Sequence, residues 1–433
     1  MKLKKYIMYS SAYLAIALTT QTVVAWYAHY YSSSKGQSFL SIGLVGYAFL
    51  IGRIIDAVAD PLVAQWSDNS TGKGGRRIPF IKYGALPMVI SFVLIWFPFI
   101  NHQSIYNFYY LLLVMSLFFF FFTVVVAPYL ALLPELTPDP DERVTISTYQ
   151  SVFNIIGLIL SSIAAGFLID NYGHKIMGVV LGLIALIFVY MPVFGVKEKQ
   201  NKNPQKAKLL SNIKDLLKNR DFVSYQVSNM LVWFSINMLT ITIPYIGEVL
   251  MGLEESFSGL LLGGTFIVAI LTSPLILKLT HKFGKRKIYS LFILIFAFTI
   301  SLIFLIGRPF LFFDQLWFGY FVIALSGIPV SAVFIIPNAI IADLTIADTE
   351  KSGQKREAIY FGIQGLGIKI IMGISSAFTL SFLFDMFGYV ESNPTGIYLT
   401  APTAVVLNLA ACYIFIKGYN INEDKIRKIN KKV

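Results

Sequence analysis

The stretch RIIDAVADP, Arg53 to Pro61, sets a guanidinium and two carboxylates inside a run that is otherwise apolar from Phe39 to Trp66. How that run is read decides the fold. Of the 433 residues 56% are hydrophobic and only 13% are charged, whereas a soluble domain carries about 25% charged residues. The mean hydropathy of +0.69 agrees with a chain solvated by lipid. Apolar runs of the roughly 20 residues that span a bilayer recur at about 9–31, 39–66, 82–101, 106–134, 146–170, 175–196, 222–250, 256–278, 287–307, 311–343, 357–386 and 394–417. In hydrocarbon every backbone amide must be bonded within its own segment, so runs of this length form helices rather than strands. The sequence implies an all-α membrane protein with twelve transmembrane helices.

The net charge of +12 would suit a polyanion partner if it were clustered, but it follows the loops. Only Lys35, Lys175 and Arg308 fall on one face, Arg53 and Lys369 lie within spans, and the other basic residues of the 35 fall on the opposite face. This is the positive-inside pattern, so the charge reports topology, with both termini cytoplasmic and no nucleic-acid partner. The run after MKLKK is too long for a cleaved leader, so the first span is expected to be its own insertion signal. The single cysteine, Cys412, excludes an internal disulfide and a Cys-based metal site. No cofactor and no metal are expected, and the chain is expected as a monomer in the inner (plasma) membrane of a bacterium.

Residues 197–221, polar and basic, separate six spans from six. The expected organisation is an N-terminal half at 1–196, a cytoplasmic linker at 197–221, a C-terminal half at 222–418 and a basic tail at 419–433. An internal repeat supports it. LLPELTPDPDERVTISTYQSVF after the fourth span matches IIADLTIADTEKSGQKREAIYFGI after the tenth, and the basic turns GKGGRR and HKFGKRK form a second pair. Two related six-helix halves describe a transporter whose site lies between them near the midplane. The inner-face residues Arg76, Arg77, Glu135, Asp141, Arg143, Asp343 and Arg356 are expected to form ion pairs that open and close that side.

Arg53, Asp56 and Asp60 share one helical face through their i,i+3 and i,i+4 spacing. The polar loop begins eleven residues beyond Asp56 at Ser67, about 16 Å along a helix, which puts Asp56 near the middle of the membrane. A charge there costs on the order of 3 kcal/mol and is paired or used. One reading is a structural ion pair of Arg53 with one carboxylate. The other is a cation site, because two carboxylates one turn apart offer hard oxygen ligands, and their repulsion favours binding a proton. Lys369 is as deep, in YFGIQGLGIKIIMG, and needs an anionic partner, for which the second-span aspartates are candidates. The residues do not suit an intramembrane aspartyl protease, which needs aspartates on two helices, and HExxH is absent.

GLVGYAFLIGRIIDAVADPLVAQWSDNSTGKGGRRIPFI, with APYLALLPELT and REAIYFGIQGLGIKIIMG, resembles the glycoside–pentoside–hexuronide:cation symporters of the major facilitator superfamily along nearly the whole chain. The resemblance implies the major facilitator fold, symport coupled to sodium or a proton, and a small-molecule substrate. It also implies a cation site at Asp56, Asp60 and Thr123, with Lys369 and Arg53 as coupled charges and Gln364 near the substrate. The departures fall at the sugar. No Asp or Glu precedes Asp56, and the fourth-span acid of the family's melibiose permeases is Val126 here. The tryptophan after the fourth-span proline is Leu130, the fifth-span arginine falls at Tyr149, and the asparagine before the second aspartate is Ala59. What remains to meet a substrate is aromatic and mostly neutral: Gln21, Trp26, Tyr27, Tyr30, Tyr149, Asn229, Trp233, Asn237 and Tyr245. The expectation is a sugar or glycoside, with a lysophospholipid or another amphipathic solute as the alternative.

Overall fold

The structure is a computed structural model, and it describes residues 2–36, 38–70, 75–137, 140–196, 216–308, 314–353, 356–421 and 423. Residues 197–215 of the expected linker therefore lie outside the described residues. In chain order the helices are α1 (Lys2–Ser10), α2 (Ala12–Tyr31), α3 (Ile42–Asn69), α4 (Ile78–Leu94), α5 (Ile105–Leu136), α6 (Pro140–Ile159) and α7 (Ala165–Gly195). They continue with α8 (Arg220–Tyr245), α9 (Glu255–Phe283), α10 (Lys285–Ser301), α11 (Gln315–Ser352), α12 (Glu357–Ala377), α13 (Asp385–Phe387) and α14 (Thr395–Gly418). Among the described residues ten helical runs are long and apolar enough to cross a membrane. This is an all-helical membrane protein.

The expected segment ends shift for local reasons. α4 stops at Leu94 rather than near residue 101, because Pro98 biases the residue before it toward extended backbone. The expected fifth and sixth spans join into one run, Thr145–Gly195, with a break at Gly173 (φ 80°, ψ 165°). α11 runs on past residue 343 to Ser352 and ends on Gly353 at φ 70°, a left-handed cap that costs glycine little. Asp343 thus lies well inside the helix rather than at its end.

The chain packs as two compact units. The first takes the described residues of 1–205, 240–263 and 376–396, the second those of 206–239, 264–375 and 397–433. In the first unit α3 and α4 both pack on α5, and α2 packs on α6 and α7. Small residues let these helices meet. A Cβ on Gly52 would lie 2.8 Å from the Phe119 ring, and one on Gly178 would lie 2.2 Å from the Trp96 ring. The first unit also holds three π-helical segments, Leu160–Ala164, Ile246–Leu250 and Phe378–Phe384. Such widened turns free carbonyls from the regular ladder, and the buried Trp26 donates its indole N–H to the carbonyl of Ser161 at 3.0 Å.

In the second unit α10 packs along α11, and the chain beyond α14 turns back onto the start of α10. The Glu423 carboxylate accepts the N–H groups of Lys285 (3.0 Å) and Arg286 (2.9 Å), placing an anion where the helix dipole favours one.

The glycine contacts give a paired test. Gly178→Val is expected to lower the apparent melting temperature in detergent by several degrees, since overpacking costs typically 1–3 kcal/mol. Gly264→Ala, where an added Cβ meets nothing within 4 Å, is expected to leave it unchanged or raise it.

Candidate functional site

α3 carries Arg53, Asp56 and Asp60 along one stripe, and α5 brings Thr123 against it. The Arg53 Nη1 donates to Asp56 Oδ2 at 3.1 Å, and the Thr123 hydroxyl donates to Asp56 Oδ1 at 2.5 Å. The same hydroxyl lies 3.4 Å from Asp60 Oδ1. Asp56, Thr123 and Arg53 are buried, at 0%, 1% and 5% exposure, while Asp60 is half-buried. One hydroxyl proton serves one acceptor at a time, so Thr123 ties the two aspartates together through a single oxygen. The guanidinium is walled by rings, 4.5 Å from the centroid of Phe119 and 5.3 Å from that of Phe49, and Tyr27 stacks on Phe49 at 5.0 Å. Gly52 allows this wall, since any side chain there would strike Phe119. Pro61 follows Asp60 directly inside the helix, and because it has no N–H the carbonyl of Ala57 loses its i+4 donor.

The ion pair between Arg53 and a carboxylate exists, and the second carboxylate joins it through Thr123.

The other sequence-derived residues are placed as follows. Tyr30 donates to the carbonyl of Trp96 at 3.0 Å and Tyr245 to that of Ser32 at 3.0 Å. Tyr149 is half-buried on α6. In the second unit Gln364 donates to the Tyr225 hydroxyl at 2.7 Å, Trp233 meets Phe334 edge-on at 5.6 Å, and Lys369 is half-buried on α12. Of the inner-face residues, Arg77 pairs with Asp68 at 3.0 Å, and Arg143 Nε donates to the Thr137 carbonyl at 2.9 Å. Asp343 pairs with Lys285 at 2.6 Å, and Arg356 grips Asp348 with two hydrogen bonds of 2.8 and 2.6 Å. Arg76 is half-buried ahead of α4. Glu135 and Asp141 lie in helices, but their side chains fall outside the described residues. Asp68, Lys285 and Asp348 are the partners that sequence reasoning missed.

It also missed a polar cluster at the other end of the first unit. His29 Nε2 lies 2.8 Å from Glu248 Oε2, and Ser34 donates to the same oxygen. His29 and Glu248 border a cavity of about 200 Å³ that Lys35, Glu254, Glu255 and Ser258 also line. Beside it, Asp170 accepts the N–H groups of Glu255 (3.0 Å) and Ser256 (2.7 Å) at the start of α9. Two glycines make this approach possible: a Cβ on Gly166 would lie 2.4 Å from the Glu255 carbonyl oxygen, and one on Gly259 2.5 Å from that of Ser162. A histidine and a glutamate inside apolar runs were the available signal.

A helical membrane chain with a carboxylate pair in its hydrocarbon zone is built as transporters are, and comparison with known proteins agrees. The model of the family described as MFS/sugar transport protein matches residues 8–416, and the chain belongs to that family. It is 24% identical to the uncharacterized symporter YnaJ of Bacillus subtilis, over 98% of this chain and 93% of that one. It is 23% identical to the isoprimeverose transporter of Lactiplantibacillus pentosus, over 89% and 80%. It is 24% identical to the sodium-dependent lysophosphatidylcholine symporter 1 of Xenopus tropicalis, over 89% and 82%. Among solved structures the nucleoside transporter NupG superposes with a TM-score of 0.70 at 15% identity, over 96% of this chain and 98% of that one. The fold is that of the major facilitator superfamily, and the chain is an integral membrane transporter of the symporter kind.

The Asp170 contact can be tested locally. Asp170→Ala is expected to speed amide hydrogen exchange at Glu255 and Ser256 about fivefold, the worth of a lost helix cap, with the exchange of α3 unchanged.

Proposed function

We propose that the chain is a symporter that couples a sodium ion or a proton to the movement of a sugar or glycoside by alternating access. One observation supports this most: the Thr123 hydroxyl held against Asp56 and 3.4 Å from Asp60, which collects hard oxygens from two helices at one point in the hydrocarbon. Hard donors of this kind suit a small cation, and a carboxylate pair suits a proton. The carbonyl of Ala57, released by Pro61, is a further oxygen on the same helix. In this reading Arg53 holds Asp56 while the cation is away, and Lys369 is the second compensating charge.

Tyr27, Trp26, Tyr149, Trp233 and Gln364 are the substrate-facing candidates. Arg76, Arg77, Glu135, Asp141, Arg143, Asp343 and Arg356 form the inner gate. The protein sits as a monomer in a bacterial plasma membrane with both termini cytoplasmic. Cation and substrate favour the same occluded state, so each raises the affinity of the other by the same factor. The similarity to an isoprimeverose transporter supports a sugar.

A lysophospholipid is the second reading. It is favoured by the lack of any carboxylate before Asp56 and by Val126 and Leu130 on α5, since hydroxyl-rich solutes need placed hydrogen-bond partners. The similarity to a lysophosphatidylcholine symporter supports it too.

The test is a thermal-shift screen of purified protein that crosses sodium, lithium and pH with glycosides, pentosides, uronides and lysolipids. Binding to the folded state raises the melting temperature by linkage. A glycoside that stabilises only with a cation is the expected result, and stabilisation by lysolipids alone selects the second reading. In proteoliposomes Asp56→Asn, Asp60→Asn and Thr123→Val are expected to abolish gradient-driven uptake while the protein stays folded, whereas Thr123→Ser retains most of it. Undiminished uptake in both aspartate variants overturns the cation site.

A further inference from the structure

On α5, Phe121 and Val124 join Pro79, Phe80, Tyr83 and Gly84 of α4 around an open, apolar groove of about 290 Å³. Gly84 forms its floor, since a Cβ there would lie 2.8 Å from Val124 Cγ1. Tyr83 is 71% exposed, and Leu86 and Ile90 continue the same exposed apolar side of α4. On a membrane helix such a face looks into lipid, and an exposed tyrosine one turn from the helix start marks the headgroup level.

A charge lies beside the Tyr83 wall of the groove. Lys82 is exposed, and its ammonium lies 5.5 Å from the Tyr83 ring centroid. It is four residues into α4, about 6 Å along the axis, on the side of the GKGGRR turn. α4 contains no acid, and α5 contains none before Glu135. Among the described residues no carboxylate pairs with Lys82. A lysine at this depth seeks an anion at the surface, and an apolar groove beside it accepts a chain.

We propose that this groove binds one anionic phospholipid of the leaflet on the basic side, with an acyl chain along Phe80, Tyr83, Phe121 and Val124 and its phosphate at Lys82. The pairing of cation and groove selects this occupant: a neutral lipid leaves the lysine without an anion, and a soluble anion leaves the groove without a chain.

Native mass spectrometry on delipidated protein tests it, with phosphatidylglycerol, phosphatidylcholine of the same acyl chains, and glycerol 3-phosphate as the headgroup alone. The wild type is expected to hold one phosphatidylglycerol more tightly than phosphatidylcholine and to ignore glycerol 3-phosphate. Lys82→Gln is expected to weaken that lipid about fivefold, the worth of one lysine at an anionic surface, and to leave phosphatidylcholine unchanged. Val124→Trp, which fills the groove, is expected to remove the tight lipid, and the surface variant Tyr83→Ala tests the same wall if Val124→Trp does not fold. Equal retention of the two lipids by the wild type, or an unchanged preference in Lys82→Gln, overturns the proposal. So does binding of glycerol 3-phosphate at the strength of the lipid.

Discussion

Asp56 is the constraint from which the first unit is built. A carboxylate sealed in hydrocarbon costs several kcal/mol unless donors replace its water, and here a guanidinium and a hydroxyl do so from two directions. Those donors dictate the packing. Thr123 reaches Asp56 only if α5 comes close to α3, and this approach needs the missing side chain of Gly52. The guanidinium, buried in turn, is covered by the faces of Phe49 and Phe119, which suit a cation better than aliphatic groups do. A charge pair, a glycine and three rings, counting Tyr27, thus form one device.

Each half carries a basic turn with an ion pair. Arg77 reaches back to Asp68 at the end of α3, and Lys285 reaches Asp343 inside α11. In the first half the arginine clamps its own turn. In the second the lysine ties the turn to a different helix, and that link depends on α11 remaining helical through residue 343.

Legibility in the sequence tracked the energetic cost of each feature. Long apolar runs admit only helices, so the helical membrane fold was readable outright. Arg53, Asp56 and Asp60 stood out because charge in hydrocarbon is expensive, and their spacing put them on one face. Thr123 was different: a threonine in FFFFFTVVVAPYL carries no such penalty, and only the family resemblance pointed to it. The π-helical segments have no compositional signature, since a widened turn uses the same residues as a regular one. The Asp170 cap and the His29–Glu248 pair join residues 85 or more positions apart, beyond the reach of any spacing rule. Asp68, Lys285 and Asp348 lie at water-facing ends where many charges compete, and sequence alone does not rank them.

The docking of Glu423 on the first amides of α10 changes what the end of the chain is for. A basic tail would be an ornament that truncation or a fused affinity tag leaves inert. Instead, the residue after the membrane helices closes the start of another helix, the one whose first residue, Lys285, holds Asp343. Trimming the polypeptide at Gly418 therefore removes a structural part of the second unit.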